Sequence, residues 1–393
     1  MRANESVENY DSRIREYANY SFRQSRNICK TIGERQAGSE NEDKLQQHIA
    51  GEMKTCADRV SVEEFKFAPD HIVLQNKVGA LSFILAAAIL LFSLLTGFIP
   101  AVAGISSIII SIIGIILSFS GKCYAQKKLT SKNVYGVKKS SGKAEKRIIL
   151  VGNADCMRSR KMAGASLKTL SVLSGIVFLV TGVILFLRGN NITDIISEGY
   201  VKYLSIPLCV FVIFDILVLF RKYDSVSAGA NKNLSGSFTC IALLKYLKDM
   251  NITLERTEVA VLITGAHEAS LSGAKAFVKE KASDLKDIPT CVLCLDCLRE
   301  ESDLSIKPQK GGEDLAKTVS LCSKVSGYEI SLKDMKYKTD AEAFSKAGIP
   351  SCTITAVPEG VDKLEDTYED MKIRTIETSL KAVMETVFTM DEN

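Results

Sequence analysis

Three patterns of hydrophobic and polar positions alternate along this chain. The first is the long uncharged run. Residues 79–98 (GALSFILAAAILLFSLLTGF) carry no charge over twenty positions, about 30 Å as a helix, which is the thickness of a bilayer core. A second such run, 101–119, follows after Ile99-Pro100, a connection so short that the two form an antiparallel hairpin. Residues 167–187 and 204–220 repeat the arrangement across a loop carrying Arg188, Asp194, Glu198 and Lys202. The pattern predicts four membrane spans in two hairpins.

The other two patterns are short strand-like segments and amphipathic stretches of helical spacing. Residues 59–67 (RVSVEEFKF) alternate as a strand does, and 133–137 followed by 147–153 (RIILVGN) read as two further strands around a KKSSGKAEK turn. Residues 42–58 have helical spacing. After Gly229, helices are expected over 237–250, 269–281, 313–324, 341–347 and 375–390, and strands over 258–264 (EVAVLIT), 290–298 (TCVLCLDCL) and 351–356 (SCTITA). That alternation predicts an α/β sheet. Neither 1–77 nor 120–166 reads as a domain by itself. Together with 221–393 they are expected to form one discontinuous α/β domain, interrupted by transmembrane hairpins at 78–119 and 167–220.

With 393 residues, 46% hydrophobic and 24% charged, the chain is too apolar and too mixed for disorder. The net charge of +4 does not call for nucleic acid, because the positive residues cluster beside the spans, where anionic headgroups attract them. The lipid bilayer is therefore the first partner. Lys77, Lys122, Lys127, Lys128, Arg158, Arg160, Lys161, Lys168, Arg221 and Lys222 flank the spans on the side shared by the soluble segments, which the positive-inside rule assigns to the cytoplasm. The polar start, MRANESVENYDSRIREYANY, holds no signal-peptide pattern. The expectation is a multi-pass protein of the cell membrane with its soluble domain and both termini cytoplasmic. Eleven cysteines, odd in number and without close pairing, suit that reducing compartment. Cys291, Cys294 and Cys297 have the spacing of cluster ligands, but residues three apart on a strand face opposite ways, so they read as core cysteines.

Ligand sites of α/β sheets lie beyond the carboxyl ends of strands. Those ends carry Asn153 and Asp155 (VGNADC), Lys232 (GANKNLSG), His267 and Glu268 (TGAHEAS), Asp296 (CLDCL), and Asp362 with Asp366 (VDKLEDT). Several carboxylates converging on one cleft need a cation, either a metal or a basic side chain. The order of these segments resembles the M28 family of zinc aminopeptidases. IGERQAGSE looks like its arginine-glycine-serine entry motif, IILVGNADC like its strand ending in His-x-Asp, and GANKNLSG like its Gly-Ala-x-Asp-Asn-x-Ser-Gly. TGAHEASLSGAKAF is similar to its Glu-Glu-x-Gly-Leu-x-Gly-Ser, KTDAEAFSKAGIPSCTIT to its Ser-Asp-His and Gly-Ile-Pro region, and DKLEDTYEDM to its His-Thr-x-x-Asp-Thr.

The resemblance implies the mixed-sheet, zinc-peptidase-like (phosphorylase/hydrolase-like) α/β fold. It also implies a site in which two zinc ions are held by a histidine, a bridging aspartate, a glutamate, a second acid and a final histidine, with another glutamate as base. In this sequence Asn153 stands at the first histidine, Lys232 at the bridging aspartate, His267 at the base and Asp362 at the final histidine, while Glu268 and Asp296 keep an acid. Two-metal hydrolysis needs a water held between the two ions. A protonated lysine at the bridge cannot coordinate and repels a dication. Its ammonium can instead sit among Glu268, Asp296 and Asp362, each pair worth about 4 kcal/mol at ~4 Å before desolvation.

The expectation is that Lys232 replaces the zinc pair as the structural cation and that no cofactor is bound. The domain would then have lost zinc-dependent hydrolysis and serve binding, regulation or scaffolding, with a peptide or protein partner. The alternative is an active membrane-bound metallo-aminopeptidase or amidohydrolase with a remodelled site, with zinc on Asp155, Glu268 and Asp296. In that case His267, which titrates near neutrality, would be the base; the preferred reading gives it no catalytic task. A third reading is a transporter working through Asp215, the ionisable residue deep in the last span. The preferred role of Asp215 is a contact between helices, to a serine or threonine of the third span. Arg35 is expected to brace the domain rather than touch substrate.

Overall fold

The computed structural model describes residues 9–68, 72–119, 128–156, 163–192, 202–220, 227–335, 337–357 and 366–392. Asp362, Asp194, Glu198 and the basic residues Lys122, Lys127, Arg158, Arg160, Lys161, Arg221 and Lys222 lie outside them, as does the side chain of Lys168. The chain divides into two compact units, one from Met1–Pro69, Lys127–Ser159 and Ser225–Asn393, the other from Asp70–Gln126 and Arg160–Asp224.

The strands are β1 (Arg59–Phe67), β2 (Leu129–Lys138), β3 (Lys146–Asn153), β4 (Thr257–Thr264), β5 (Thr290–Asp296), β6 (Ser305–Pro308), β7 (Ser331–Leu332) and β8 (Ser351–Thr355). The helices are α1 (Tyr10–Thr31), α2 (Glu40–Lys54), α3 (Ile72–Thr96), α4 (Pro100–Phe119), α5 (Ala163–Gly189), α6 (Ser205–Phe220), α7 (Ser235–Asp249), α8 (Ser272–Glu280), α9 (Glu313–Val325), α10 (Ala341–Lys346) and α11 (Ile373–Glu392).

All the strands join one mixed sheet in the order β1-β2-β4-β3-β5-β8-β6-β7. The central β4, β3, β5 and β8 run parallel, whereas β1, β2 and β4 pair antiparallel, as do β8 and β6. Parallel strands are covered on both faces and read as solid apolar runs. In β3, accordingly, Ile148 and Leu150 enter one core and Ile149 and Val151 the other. Cys291 and Cys294 of β5 likewise divide between the two cores. Helix α7 packs between the sheet and α1 and α11, and its residues from Ser235 to Leu244 are all buried. A helix covered all round has no polar face to show in its sequence.

Helix α1 was not expected from the pattern. Its buried positions, Tyr10, Ile14, Tyr17, Ala18, Ser21, Ser25 and Ile28, recur at helical spacing, but serines dilute the stripe. The helix expected over 269–281 begins only at Ser272, because Ala266, Ser270 and Leu271 take left-handed φ of 49°, 62° and 59° in the turn after β4. The strand expected over 290–298 ends at Asp296, where Cys297 turns to φ 54°.

In the second unit, α3, α4 and α5 are long and apolar enough to cross a membrane; α6, with 16 residues, is a shorter apolar helix. Three helices rather than the expected four therefore reach spanning length among the described residues. Leu85, Phe92, Ile109, Ile116, Val180 and Ile213 are exposed, while Ala86, Ala87, Ser107 and Ser174 are buried. Phe83, Leu90, Phe178, Leu185 and Leu208 are buried with them, so the unit has an apolar interior and large apolar side chains on its outside as well. Helices α4 and α5 approach closely at Gly104 and Gly182, where a side chain on either would strike the facing backbone.

Candidate functional site

The segment GANKNLSG is not a simple turn. Gly229 takes a left-handed φ of 61° and residues 230–234 form a single π turn before α7 begins. Such turns re-aim a side chain within a helix and recur at functional sites. The backbone of this one is pinned on both sides. The N–H groups of Asn231 and Lys232 donate to the Asp366 carboxylate at 2.7 and 3.0 Å. Their carbonyls accept from Leu298 and Cys297, just past β5, at 3.1 and 3.0 Å. Arg35, fully buried, donates to the carbonyls of Gly33, Ala154, Ala228 and Gly229. It ties the entry loop, the end of β3 and the approach to the π turn into one piece. Gly236 then lets the first turn of α7 rest on the Leu295 carbonyl, where a side chain would collide.

This scaffold aims Lys232 at Glu268, with Nζ 2.6 Å from Oε1 and 5.8 Å from the centre of the Tyr337 ring. Burial works against the lysine's charge, but the Glu268 and Asp296 carboxylates outweigh it and raise its pKa. Burial likewise opposes ionisation of Glu268, and the charges of Lys232 and His267 prevail, so its pKa falls. The pair is ionic. Asp296, buried at the end of β5, is pushed by burial up to about 6 against the pull of His267 and Lys232.

His267 is itself buried, with Nδ1 3.0 Å from Asp340 Oδ1, while Asp340 Oδ2 accepts the Thr264 hydroxyl at 2.7 Å. Burial lowers the imidazole's pKa, but Asp340, Asp296 and Glu268 lift it to about 10. At neutral pH His267 is thus an imidazolium, a partner for carboxylates and not a base waiting for a proton. Asp155 accepts the backbone N–H groups of His267 and Glu268 at 2.9 and 2.8 Å, and burial with the Glu42 charge raises its pKa well above the carboxylate range. Asn153 Oδ1 accepts the Asn233 side-chain amide at 2.6 Å. Cys156 accepts the Arg35 N–H, and burial pushes its thiol up to about 12.

Lys232, Glu268, Asp296 and His267 are therefore gathered into one electrostatic cluster, with Asp155 and Asn153 turned to its supporting shell. Two members were absent from the sequence reading. Asp340 lies in KTDAEAF, the segment resembling Ser-Asp-His, and that resemblance is the signal that points to it. Glu42 is the acid of a Ser-x-x-Glu helix start, with Ser39 as its cap. Its carboxylate accepts the N–H of Gly38 and, across the fold, that of Ala266.

A two-zinc centre needs free donors around each ion. Among the described residues no three His, Cys, Asp or Glu side chains are grouped to hold a metal ion. Glu268 faces Lys232, His267 faces Asp340, and Asp155 is committed to peptide N–H groups. As arranged, this donor set does not fit a zinc pair.

Comparison with known proteins follows the fold. Residues 215–387 match the family described as Peptidase family M28. Comparison with curated sequences finds no match. Among solved structures the chain is similar to BSAP, a zinc aminopeptidase from Bacillus subtilis, at 14% identity and TM-score 0.57, with 95% of each chain covered. An aminopeptidase from Aneurinibacillus sp. strain AM-1 superposes with TM-score 0.55 at 14% identity, over 96% of this chain and 95% of the other. Glutaminyl cyclase from Bacteroides thetaiotaomicron does so with TM-score 0.54 at 12% identity, over 94% and 97%. These findings correct the expectation that no cofactor is involved: the family match and the zinc aminopeptidase neighbours point to zinc. The chain thus combines the mixed α/β fold of the zinc aminopeptidases with a peptidase family M28 match over residues 215–387.

Proposed function

We propose that the chain is a multi-pass membrane protein whose peptidase-like domain, on the cytoplasmic side, binds a ligand rather than hydrolysing one. The observation that carries this reading is the 2.6 Å ion pair between Lys232 and Glu268. A carboxylate bridging two ions and the water between them are the core of two-metal hydrolysis. Here an ammonium stands at the bridge, held by its own backbone on both sides, and takes the acid that a metal would need. What remains is a buried cluster of alternating fixed charges, suited to a ligand carrying charge of its own, such as a peptide terminus or a segment of a partner protein. The length and apolarity of α3, α4 and α5, with large apolar side chains exposed on their outer faces, support membrane insertion.

The competing reading is an active metallo-aminopeptidase, which the zinc aminopeptidase neighbours favour. It requires Lys232 to release Glu268. Full-length protein purified in detergent, loaded with zinc and given a panel of aminoacyl-anilides, separates the two. The expected result is no turnover above background in wild type. Turnover that disappears in Glu268→Ala and Asp296→Ala would return the protein to the hydrolases.

A further inference from the structure

Inside the helical unit, Asp215 of α6 is fully buried and meets two serines of α5. Ser171 Oγ lies 2.6 Å from Asp215 Oδ1, and Ser174 Oγ lies 2.7 Å from Oδ2. Ser174 Oγ also lies 2.6 Å from the Ser171 carbonyl oxygen. All three are full-strength O–H···O distances. Each needs a proton between its two oxygens.

The protons can be counted. A hydroxyl has one to donate. Ser171 gives its proton to Oδ1. Ser174 faces a carbonyl, which only accepts, and a carboxyl oxygen, which also only accepts if Asp215 is ionised. One proton would then serve two contacts, both of them short, although a shared hydrogen bond lengthens both arms. If Asp215 carries a proton on Oδ2, the count closes: Asp215 donates to Ser174, Ser174 to the Ser171 carbonyl, and Ser171 to Oδ1. A metal cation does not substitute, because oxygens 2.6–2.7 Å apart leave no room for an ion between them.

We infer that Asp215, Ser171 and Ser174 form a proton-binding site within the helical unit, in which Asp215 is a neutral acid that donates to Ser174. Loss of that proton leaves Ser174 with one proton for two acceptors, so either its contact with Asp215 or its contact with the Ser171 carbonyl within α5 opens. The helices packed on α6 are α3 and α5. Their charged residues are Lys77 on α3, and Lys168 and Arg188 on α5, while α4 carries none. Arg188 is fourteen residues beyond Ser174, about 20 Å along the helix. Lys168 stands three residues before Ser171 in the sequence, which makes it the lysine to test as a counter-ion for an ionised Asp215.

Infrared difference spectroscopy of the full-length protein in lipid decides the matter. Wild type minus Asp215→Asn at neutral pH is expected to show the carbonyl stretch of a protonated carboxyl, insensitive to sodium. Carboxylate bands in that difference would overturn the inference, and their disappearance in Lys168→Met would identify the lysine pair. If Asp215→Asn does not fold, Ser174→Ala serves in its place: removing the acceptor must shift a protonated-carboxyl band. A spectrum in which no such band responds would sink the site.

Discussion

The two units bury acids by opposite means. In the sheet-bearing unit Glu268 and Asp340 face an ammonium and an imidazolium; in the helical unit Asp215 faces serine hydroxyls. Taking a carboxylate out of water costs several kcal/mol, and a counter-charge offsets this only where geometry and remaining hydrogen bonds are good. Neutralising the acid with a proton replaces that cost with the work of raising its pKa, about 1.4 kcal/mol per unit. The first device makes each member of the cluster indispensable to the others. The second leaves a site that should hardly notice the loss of charge.

The sharpest way to break this contrast is Lys232→Met, which removes the cation and leaves Glu268 and Asp296 facing each other in a buried cleft. A cost of about 3–5 kcal/mol is expected, with much of it recovered in the double variant Lys232→Met/Glu268→Gln. Cys240, Cys294 and Cys352 are buried in this unit, so thermal melts followed with a thiol-reactive dye report its unfolding. A single variant as stable as wild type would mean that the pair is incidental. Next in size is Arg35→Met. It strips donors from four backbone carbonyls, at a cost on the order of 3 kcal/mol, and should loosen the π turn that aims Lys232.

Much of this was legible beforehand, for physical reasons that differ by element. The parallel strands showed themselves because burial on both faces demands solid apolar runs, as in RIILVGN and EVAVLIT. Helix α1 was hidden because its buried face includes Ser21 and Ser25, which donate to or sit among neighbouring groups rather than forming an apolar stripe. In the cleft, motif order placed Lys232 and Glu268 side by side. It could not place Asp340 against His267, since that contact joins the turn after β4 to the segment before α10 and depends on sheet order. Nor could spacing reveal that the chain after β4 would take left-handed φ at Ala266 and present its N–H groups to Glu42 and Asp155. Helix α6 matches the apolar run 204–220 to within one residue, but at 16 residues it is shorter than the helices of spanning length.

The His267–Asp340 pair gives a pH signature. With a folded pKa of about 10 above the ordinary 6.5, the imidazolium stabilises the fold fully below pH 6.5 and loses that contribution as pH rises toward 10. Asp296, raised to about 6, acts only on the acid side, whereas buried thiols such as Cys156, pushed up to about 12, also lose stability from about pH 8.5 upward. In the window from pH 7 to 10 the histidine is therefore read as the difference between wild type and Asp340→Asn. Wild-type stability should decline across it. In Asp340→Asn the largest counter-charge is gone, the pKa drops, and the alkaline decline should shrink by about 1–2 kcal/mol. Melts at several pH values in that window check this. An undiminished slope would assign it to another group.

The smallest effect should come from the helical unit. If Asp215 is a neutral acid, asparagine reproduces it, with a carbonyl for the Ser171 hydroxyl and an amide N–H for Ser174 Oγ. Asp215→Asn should then change stability by no more than about 0.5 kcal/mol, whereas Ser171→Ala, which deletes a donor and strands a buried oxygen, should cost about 1–3 kcal/mol. Loss of helical circular dichroism during titration with a denaturing detergent ranks the two variants. The reverse ranking would mean that Asp215 is ionised and that asparagine has put a donor where the serines need an acceptor. In that event the two units would bury charge by the same device, and the contrast between them would fall.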